Sequence, residues 1–465
     1  MKIEFILGIA GSIRSNFKDV ELLEDQIQTA KSKKDLIRRI DDLPRRFSNS
    51  DIALAFALFG SYQQGFAVKI ISIAQIFKHF DLSTGIANDQ DEHFGRIHRI
   101  DFLQLNEVAH DQLQDLTRNA AGIILGSPVY FGDRSSVANK FMQITNKHKY
   151  LKDKVFGMVT VGAKRNGGQE TTCIYGLYDA LMQEAIGVGN GPDTSQYGGT
   201  VVAGDLHKAT GDLNGLDRCI EVGQRVAAVA DIVRHGRRTT DDKKSLKIKV
   251  LISMDTPNRR YQEMVNQYFT PFMQAHDIDI INLIDFDIDR CIACSVCPSR
   301  KTQDQKNNDK AYACSIRTKR DSLDHIHSQI VDSDCIVLVG VNSKRDLIYR
   351  YQAFTERTRY LRRDDFQLTN TCIVSMIINE VGSINNPLHS LKVLTSYIRH
   401  NTIVLKPLEM VCHDDRILYE SAFEPLIPTL QLISKGRDLA PARKVSYKAN
   451  GYSQDLLDST NALRR

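Results

Sequence analysis

Residues 3–16 read IEFILGIAGSIRSN, an apolar run that passes directly into a turn rich in glycine and serine. Short apolar runs bounded by such residues are typical of fully buried strands. Gly11 permits a tight turn that brings backbone N–H groups close to an anion. Ser12 and Ser15 add hydroxyl donors, and Arg14 can form paired hydrogen bonds with phosphate oxygens. The stretch predicts a first strand followed by a phosphate-binding turn, although a Gly-Ser pair after a strand is often only a turn.

Apolar runs alternate with helical patterns along the whole chain, and the series occurs twice. Strands alternating with helices predict parallel sheets with helices on both faces. Five such units in each half suit the flavodoxin-like strand order, which binds ligand at the carboxyl ends of the strands. We predict an α/β fold with two tandem flavodoxin-like, doubly wound, five-stranded parallel sheets. The predicted strands are Ile3–Ala10, Ala67–Ile73, Ala120–Gly126, Val155–Gly162, Thr200–Ala203, Ile248–Ser253, Ile278–Leu283, Cys335–Gly340, Cys372–Ile378 and Ile403–Leu405.

A polar, charged stretch near the middle of the chain, residues 236–246, has no apolar periodicity and predicts a linker. It separates a first domain over residues 1–235 from a second over residues 247–434, and residues 435–465 are predicted to form a polar tail. The first domain carries an insertion at residues 17–47 with apolar residues at helical spacing. This amphipathic helix could be a lid, an oligomer contact or a helix packed on its own domain.

Composition limits the class of protein. With 465 residues, the chain is too long for one ordinary core, and 42% hydrophobic with 25% charged residues is typical of a soluble globular protein. The net charge of +5 does not by itself imply nucleic acid, and no apolar run approaches the roughly twenty residues of a membrane helix. Nine cysteines with long cysteine-free stretches argue against a disulfide framework and favour a reducing, cytoplasmic location.

Two further loops follow the third and fourth predicted strands. Residues 126–132 read GSPVYFG, and residues 162–170 read GAKRNGGQE. Because the carboxyl ends of parallel strands share one sheet edge, both loops should meet the first turn there. Tyr130 and Phe131 could stack on or border a flat ring, and the Gly167–Gly168 turn offers backbone donors. The sequence therefore predicts a planar, phosphorylated ligand at this edge, with a core position for Tyr130 as the alternative.

These segments together resemble the NADPH-dependent FMN reductase and iron–sulfur flavoprotein families, which share a flavodoxin-like fold. The resemblance covers most of residues 1–235, apart from the insertion that splits the phosphate loop. It implies that the serine, arginine and asparagine side chains hold the FMN phosphate and that the later loops line the isoalloxazine ring. The matching residues are Gly11, Ser12, Arg14, Ser48, Asn49, Ser50, Pro128, Val129, Tyr130, Phe131, Gly132, Gly167, Gly168, Gln169 and Glu170.

Four of the nine cysteines lie within residues 291–314. Cys291, Cys294 and Cys297 are spaced by two residues, so three thiolates can surround one face of an iron–sulfur cubane and leave a corner for a remote ligand. Cys314 is the predicted fourth ligand, with Cys412 in reserve. A zinc site with four thiolates is the alternative, although zinc sites favour paired knuckles. We predict a [4Fe–4S] cluster.

The iron–sulfur flavoproteins carry a compact cysteine motif in the domain that also binds flavin, whereas here the two sites are predicted to lie in different halves. The first half has no cysteine in the matching segment, Asp81–Asn106. The first turn of the second half lacks the Gly-Ser-x-Arg pattern, and Asp255 places negative charge where phosphate must lie. We predict one FMN in the first domain and one cluster in the second, with Cys335 and Cys372 in the core.

The resemblance implies an oxidoreductase that forms homo-oligomers and passes electrons between cluster and FMN to a small-molecule or protein acceptor. A ferredoxin-like protein or NAD(P)H would supply the electrons. Lys164, Arg165 and Glu170 are best placed to tune the ring or transfer protons. Two alternatives remain open: an NAD(P)H-dependent quinone-type reductase with a structural metal site, and a redox-responsive scaffold. The basic segment Arg345–Arg363 could bind nucleic acid, but a solvated helix face or a pocket wall near the cluster is favoured.

Overall fold

The chain divides into two compact units in the computed structural model. One comprises Met1–Gly191 with Gln196–Ala230, and the other comprises Pro192–Ser195 with Asp231–Arg465. The predicted domain bounds at residues 235 and 247 stay predictions. Arg14, Asp81–Asn106 and the tail beyond residue 446 lie outside the described residues. The structure describes residues 4–12, 20–43, 47–73, 107–192, 194, 196–204, 208–239, 244–294, 296–298, 311–318, 320–342, 348–382, 388–440 and 445–446.

The strands lie where the sequence predicts them, and short additional strands accompany them. The strands of the described residues are β1 (Phe5–Ala10), β2 (Ala67–Ser72), β3 (Ala120–Tyr130), β4 (Asp133–Arg134), β5 (Val155–Gly162), β6 (Ile186–Gly187), β7 (Gly199–Val202), β8 (Lys247–Ile252), β9 (Asp277–Asn282), β10 (Cys335–Asn342), β11 (Cys372–Glu380), β12 (Ile403–Val404), β13 (Leu408–His413) and β14 (Arg416–Glu420).

Helices connect these strands, and within the described residues none is both long enough and apolar enough to cross a bilayer. The helices are α1 (Val20–Thr29), α2 (Lys33–Asp41), α3 (Asn49–Gln63), α4 (Glu107–Asn119), α5 (Ser136–His148), α6 (Gln169–Met182), α7 (Leu213–Arg237), α8 (Arg260–Phe269), α9 (Leu323–Val331), α10 (Ile348–Arg357), α11 (Arg359–Arg363), α12 (Leu388–Tyr397) and α13 (Ile427–Leu439).

The first unit contains a parallel sheet in the order β2-β1-β3-β5-β6, with β7 also parallel to β5. Both β1 and β5 are buried along their whole length, as expected for strands covered on two faces. With the short hairpin strand β4 set aside, the order is the flavodoxin-like 2-1-3-4-5. The predicted α/β flavodoxin-like fold is confirmed.

The second unit repeats that order, because its parallel strands run β12-β11-β10-β8-β9. Strand β13 extends the sheet beside the carboxyl end of β11, and β14 pairs with it in the antiparallel sense. Cys335 and Cys372 are register partners at the start of β10 and β11, and both are buried. The prediction that these two cysteines are core residues is confirmed.

The insertion at residues 17–47 forms two helices rather than the single helix predicted. Helix α1 ends before Ser32, whose Oγ accepts a hydrogen bond of 3.1 Å from the backbone N–H of Asp35 and so starts α2 afresh. The restart shifts the apolar face, so Leu36 and Ile40 are buried while Ile37 is partly exposed. Helix α1 packs against α3 and β2 of its own unit, which is the third of the alternatives considered for this segment.

The segment predicted as a polar tail starts inside helix α13. Helix α13 continues to Leu439, so the first residues of the predicted tail 435–465 are helical. Gly436 explains this packing, because a Cβ there would lie 1.9 Å from the carbonyl oxygen of Ile232 in α7. The two helix backbones are therefore in direct contact, which polar composition alone does not reveal.

Candidate functional site

The turn after β1 and the loop after β3 are joined at the carboxyl edge of the first sheet. The Gly11 N–H donates to the Gly126 carbonyl at 2.8 Å, and a Cβ on Gly11 would lie 2.6 Å from that oxygen. The Ser135 Oγ donates to the Gly11 carbonyl at 2.7 Å, and the Ser135 N–H donates to the Ser127 Oγ at 3.1 Å. This is the β1–β3 position where doubly wound sheets bind ligand.

Ser135 is a residue that the sequence interpretation missed. It also caps α5, because its Oγ accepts from the Ala138 N–H at 3.1 Å. A serine directly before a helical pattern is the ordinary sequence signal of such a cap and could have identified it.

The N-terminus of α3 reaches the same edge in spite of the insertion that precedes it. Ser48 caps the helix by accepting from the Asp51 N–H at 3.2 Å, and the Asn49 Oδ1 accepts from the Ala209 N–H at 2.9 Å. The Ser50 carbonyl oxygen lies 3.3 Å from the position of a Cβ on Gly126. The predicted residues Ser48–Ser50 are thus brought to the turn that carries Ser12. The free N–H groups of a helix N-terminus favour an anion.

A tight hairpin presents the predicted aromatic residues. Val129 pairs with Arg134 in the antiparallel sense, and the turn has positive φ at Phe131 (51°) and Gly132 (79°). Two successive positive φ values are characteristic of a type I′ turn. Phe131 is fully exposed and Tyr130 is half exposed. Tyr130 therefore lies at the end of β3, beside the hairpin turn, and not in the core.

The loop after β5 packs against this hairpin. Gly168 has a φ of 96°, and a Cβ there would lie 2.7 Å from the Gly132 Cα. The loop is held from inside by Gln169, whose Nε2 donates to the Lys164 carbonyl at 2.8 Å. Glu170 is exposed in the first turn of α6. The loops that the sequence predicted to converge are therefore neighbours.

Arg134 is a second residue that the sequence interpretation missed. Its side chain is buried at the base of the hairpin, where Nε donates to Asp133 at 3.1 Å and Nη2 donates to Asp179. Among the described residues, its Nη1 has no hydrogen-bond partner. The guanidinium fixes the hairpin to α6. Nothing in the local sequence distinguishes it from a surface arginine.

The cysteine loop of the second unit brings three of the four predicted ligands together. The thiols of Cys297 and Cys314 share a hydrogen bond, and the Cys294 Sγ lies 3.2 Å from the Ser315 Oγ. Cys291, on the same loop, is partly exposed, as are Cys294 and Cys297. In the part of the chain that the structure describes, no three Cys, His, Asp or Glu side chains are arranged to hold a metal ion.

The electrostatics of this loop lower the pKa of two thiols and raise that of Cys297, first through the hydrogen bond that it shares with Cys314 and then through burial. The hydrogen bond from Cys297, the N–H of Ile316 and the charge of Arg357 together lower the pKa of Cys314 to about 5, against the opposing effect of burial. The Ser315 hydroxyl, followed by the Val296 N–H, lowers the pKa of Cys294. Thiolates are the reactive and metal-binding form of cysteine.

The remaining cysteines lie in different surroundings. Burial raises the pKa of Cys173 to about 12, and burial also raises the pKa of Cys219, Cys335 and Cys412. Cys412 belongs to β13, four strands from β9, or about 19 Å at the usual spacing. The cysteine motif follows β9, and Cys314 shares a hydrogen bond with Cys297 of that motif.

In the first turn of the second unit, the N–H groups are bound by a carboxylate side chain of the same turn. The Asp255 carboxylate accepts from the N–H groups of Thr256 (2.8 Å), Tyr261 (2.9 Å) and Gln262 (3.1 Å). The Asn282 side-chain amide donates to it at 2.7 Å. Negative charge at the start of α8 lies where the sequence predicted it. It satisfies N–H groups that a bound phosphate would otherwise use.

The described part of the basic segment, residues 348–363, turns largely inward. Tyr351, Arg357 and Tyr360 are buried, and the Arg350 Nη1 donates to the Leu283 carbonyl at 3.1 Å. Tyr349 is exposed. From residue 348 on, the segment is therefore largely a wall of the second unit, on the side of the cysteine loop.

Comparison with known proteins gives the same family as the resemblance. Residues 40–174 match the family model described as NADPH-dependent FMN reductase. An iron–sulfur flavoprotein of Methanocaldococcus jannaschii is 33% identical over 204 residues, which cover 42% of this chain and 97% of that protein. The iron–sulfur flavoprotein of Methanosarcina thermophila is 26% identical over 206 residues, with 43% and 98% covered. Among solved structures, a WrbA-like flavodoxin of Agrobacterium tumefaciens aligns with 16% identity and a TM-score of 0.27, over 49% of this chain and 97% of that one.

The Methanocaldococcus jannaschii protein is matched across nearly its whole length. The FMN reductase model matches the part of the chain that contains α3, the hairpin and the loop after β5. The chain therefore belongs to the NADPH-dependent FMN reductase and iron–sulfur flavoprotein family and is a flavin-dependent oxidoreductase.

Proposed function

We propose that this protein passes electrons between a [4Fe–4S] cluster held by its second unit and FMN held by its first, and so reduces a small-molecule or protein acceptor. The observation that carries the proposal is the contrast between the two first turns. The turn at Gly11–Ser12 meets a helix N-terminus, whereas the corresponding turn in the second unit is already filled by Asp255. The four cysteines of the predicted cluster site lie in the second unit.

The residues of the first unit fit FMN. Ser12, Asn49 and Ser50 would hold the phosphate together with the N-terminus of α3, and Arg14 is proposed for the same role on the resemblance alone. Pro128–Gly132 and the Gly167–Gly168 turn would line the ring. Ser12 and Ser50 are only 4% and 3% exposed, so little of either side chain meets water. FMN, when bound, supplies the exchange between one-electron and two-electron chemistry.

The donor set of the second unit fits an iron–sulfur cluster. Cys291, Cys294, Cys297 and Cys314 would be its ligands, and two of these thiols already have a lowered pKa. Such a cluster, when bound, supplies one-electron transfer. The Ser315 hydroxyl and the Ile316 N–H lie beside these sulfur atoms, and hydrogen bonds to ligand sulfur tune the reduction potential.

Four further parts complete the proposal: the electron donor, the oligomeric state, the location and the groups that move protons. Electrons come from a ferredoxin-like protein, with NAD(P)H as the donor in the second candidate below, and the protein works as a homo-oligomer. All nine cysteines are free thiols, which is typical of a reducing compartment and supports a cytoplasmic location. Lys164, Arg165 and Glu170 are exposed on the loop beside the proposed ring site and are the charged groups best placed to move protons there.

A second candidate is direct oxidation of NAD(P)H with a structural metal site, favoured by the match of residues 40–174 to an NADPH-dependent family. Anaerobic addition of NADPH to the purified protein separates the two. Rapid bleaching of the flavin absorbance would support the second candidate. No bleaching with NADPH, followed by bleaching with reduced ferredoxin, would support the first. Protein that released no flavin on denaturation would instead support a redox-responsive scaffold.

A further inference from the structure

Arg357 ends α10 and is the most buried cation among the described residues of the basic segment. Its side chain is 0% exposed, and that of its partner Asp321 is 2% exposed. Burying an isolated charge is costly, so a charge in this position requires an opposite charge and hydrogen bonds in good geometry. The contacts of the guanidinium therefore indicate what the fold uses it for.

The guanidinium joins three segments of the second unit. Asp321 receives two parallel hydrogen bonds, from Nη1 at 2.8 Å and from Nη2 at 2.7 Å. The Nη1 also donates to the Asp289 carbonyl at 2.7 Å. The Nη2 donates to the Tyr312 hydroxyl at 2.7 Å and, at the longer distance of 3.5 Å, to the Ile316 carbonyl. A planar fork of donors suits such a junction, and a lysine does not reproduce it.

The partners of the guanidinium flank the cysteines, and two of them, Tyr312 and Ile316, also hydrogen-bond the Cys314 sulfur through the Tyr312 hydroxyl and the Ile316 N–H. Asp289 lies two residues before Cys291, and Tyr312 and Ile316 lie two residues on either side of Cys314. Residues 298–313 separate Cys297 from Cys314 along the chain. Bringing the ends of a connection of that length together costs conformational entropy, and an anchor beside one end can offset that cost.

Tyr312 is held on its other side by an aromatic cluster. Its ring centroid lies 5.1 Å from that of Tyr360 and 5.4 Å from that of His327, both in edge-on arrangements. The His327 Nδ1 and the Tyr360 hydroxyl are 2.6 Å apart. The segment before Cys314 is therefore fixed both by packing and by the Arg357 fork.

We propose that Arg357, held by Asp321, is a positioning residue that fixes the Cys314 segment against the Cys291–Cys297 loop. The inference rests on the proposed cluster, whose fourth ligand is Cys314. The guanidinium acts on the backbone around the ligand, so its loss should loosen residues 311–318 before it affects the sheet.

Hydrogen–deuterium exchange on the metal-free full chain tests this positioning directly. In Arg357→Gln, we expect exchange in residues 311–318 to become about tenfold faster while strands β10 and β11 stay protected. Arg359→Gln, at an exposed arginine two residues further on, is the matched control and should change neither. If Arg357→Gln does not fold, the isosteric Asp321→Asn should give the same selective increase. Unchanged exchange at 311–318, or an equal rise in β10 and β11, would overturn the inference.

The loaded protein gives a second readout. After anaerobic reconstitution, Arg357→Lys and Arg357→Gln should both hold less iron per chain than the wild type. Only the neutral glutamine should also lower the midpoint potential of the remaining clusters, because it removes a positive charge. Wild-type protein without iron would refute the proposed function and leave the exchange experiment to judge the positioning. Wild-type iron content and potential in both variants would refute the positioning alone.

Discussion

The Asp255 carboxylate accepts a hydrogen bond of 2.9 Å from the Tyr261 N–H, in the first turn of α8. The same carboxylate accepts from the N–H groups of Thr256 and Gln262. It therefore uses the N–H groups that surround an anion in a flavodoxin-like phosphate turn. The two units have the same strand order, and these contacts of Asp255 belong to the second. In the second unit, a carboxylate of the chain itself therefore lies at the position where the fold binds ligand.

Replacing this carboxylate should destabilise the second unit. We expect Asp255→Ala to lower the free energy of unfolding by about 1–2 kcal/mol, because three N–H donors lose their acceptor. Inorganic phosphate should then stabilise the variant and not the wild type. Denaturant unfolding with and without phosphate measures both effects. The control is Asp415→Ala, whose side chain is 88% exposed, and equal losses in the two variants would contradict this account.

The contact between the two ring loops can be tested with a pair of glycines. In Gly168→Ala, the new Cβ would meet the Gly132 backbone at 2.7 Å and φ would stay at 96°. In Gly65→Ala, φ is 86° but nothing lies within 4 Å of the new Cβ. Both variants place an alanine at a positive φ, which is unfavourable in each. Because only Gly168→Ala adds a steric clash, we expect its free energy of unfolding to fall by about 1–2 kcal/mol more than that of Gly65→Ala. Flavin bound per chain should fall only in Gly168→Ala, and similar values in both variants would show that the loops need not touch.

Acid should destabilise the second unit through a partly buried histidine. Burial lowers the pKa of His389 to about 4, while its Nε2 donates to the Leu338 carbonyl at 3.0 Å. Between about pH 6.5 and 4 the unfolded chain binds a proton that the folded chain does not, so stability falls as the pH falls, by up to about 1.4 kcal/mol per unit. His389→Gln should reduce this slope in unfolding measurements at several pH values. His325→Gln, at an exposed histidine, serves as the control. An unchanged slope in His389→Gln would refute the assignment.

The buried strands are the part of the fold that the sequence predicts best. Strand β5 has the predicted bounds because all eight of its residues are buried, and a continuous apolar run reflects that environment. The insertion was harder, because a capping interaction at Ser32 divides a pattern that is apolar on both sides. Strand β3 continues to Tyr130 because it pairs with β4 across a hairpin, a contact beyond the apolar run.

The site was predicted as a set of loops rather than as a set of contacts. The roles of glycines and cysteines can be inferred from a sequence because their backbone freedom and thiol chemistry suit only a few structural positions. Arg134 and Arg357 are not visible in this way, because an arginine is usually exposed and only tertiary packing buries these two. Gln169 was grouped with the ring loop, and the structure shows its side chain donating to the Lys164 carbonyl.

The most direct test of the central claim is the iron, acid-labile sulfide, zinc and flavin content of anaerobically purified wild type, Cys294→Ala and Ser12→Asp. Ser12→Asp introduces into the first turn a carboxylate like that of Asp255. We expect Cys294→Ala to lose iron and sulfide while keeping flavin, and Ser12→Asp to lose flavin while keeping iron and sulfide. Loss of both groups in either folded variant, or zinc in place of iron and sulfide in the wild type, would contradict a flavin and a cluster held by separate units.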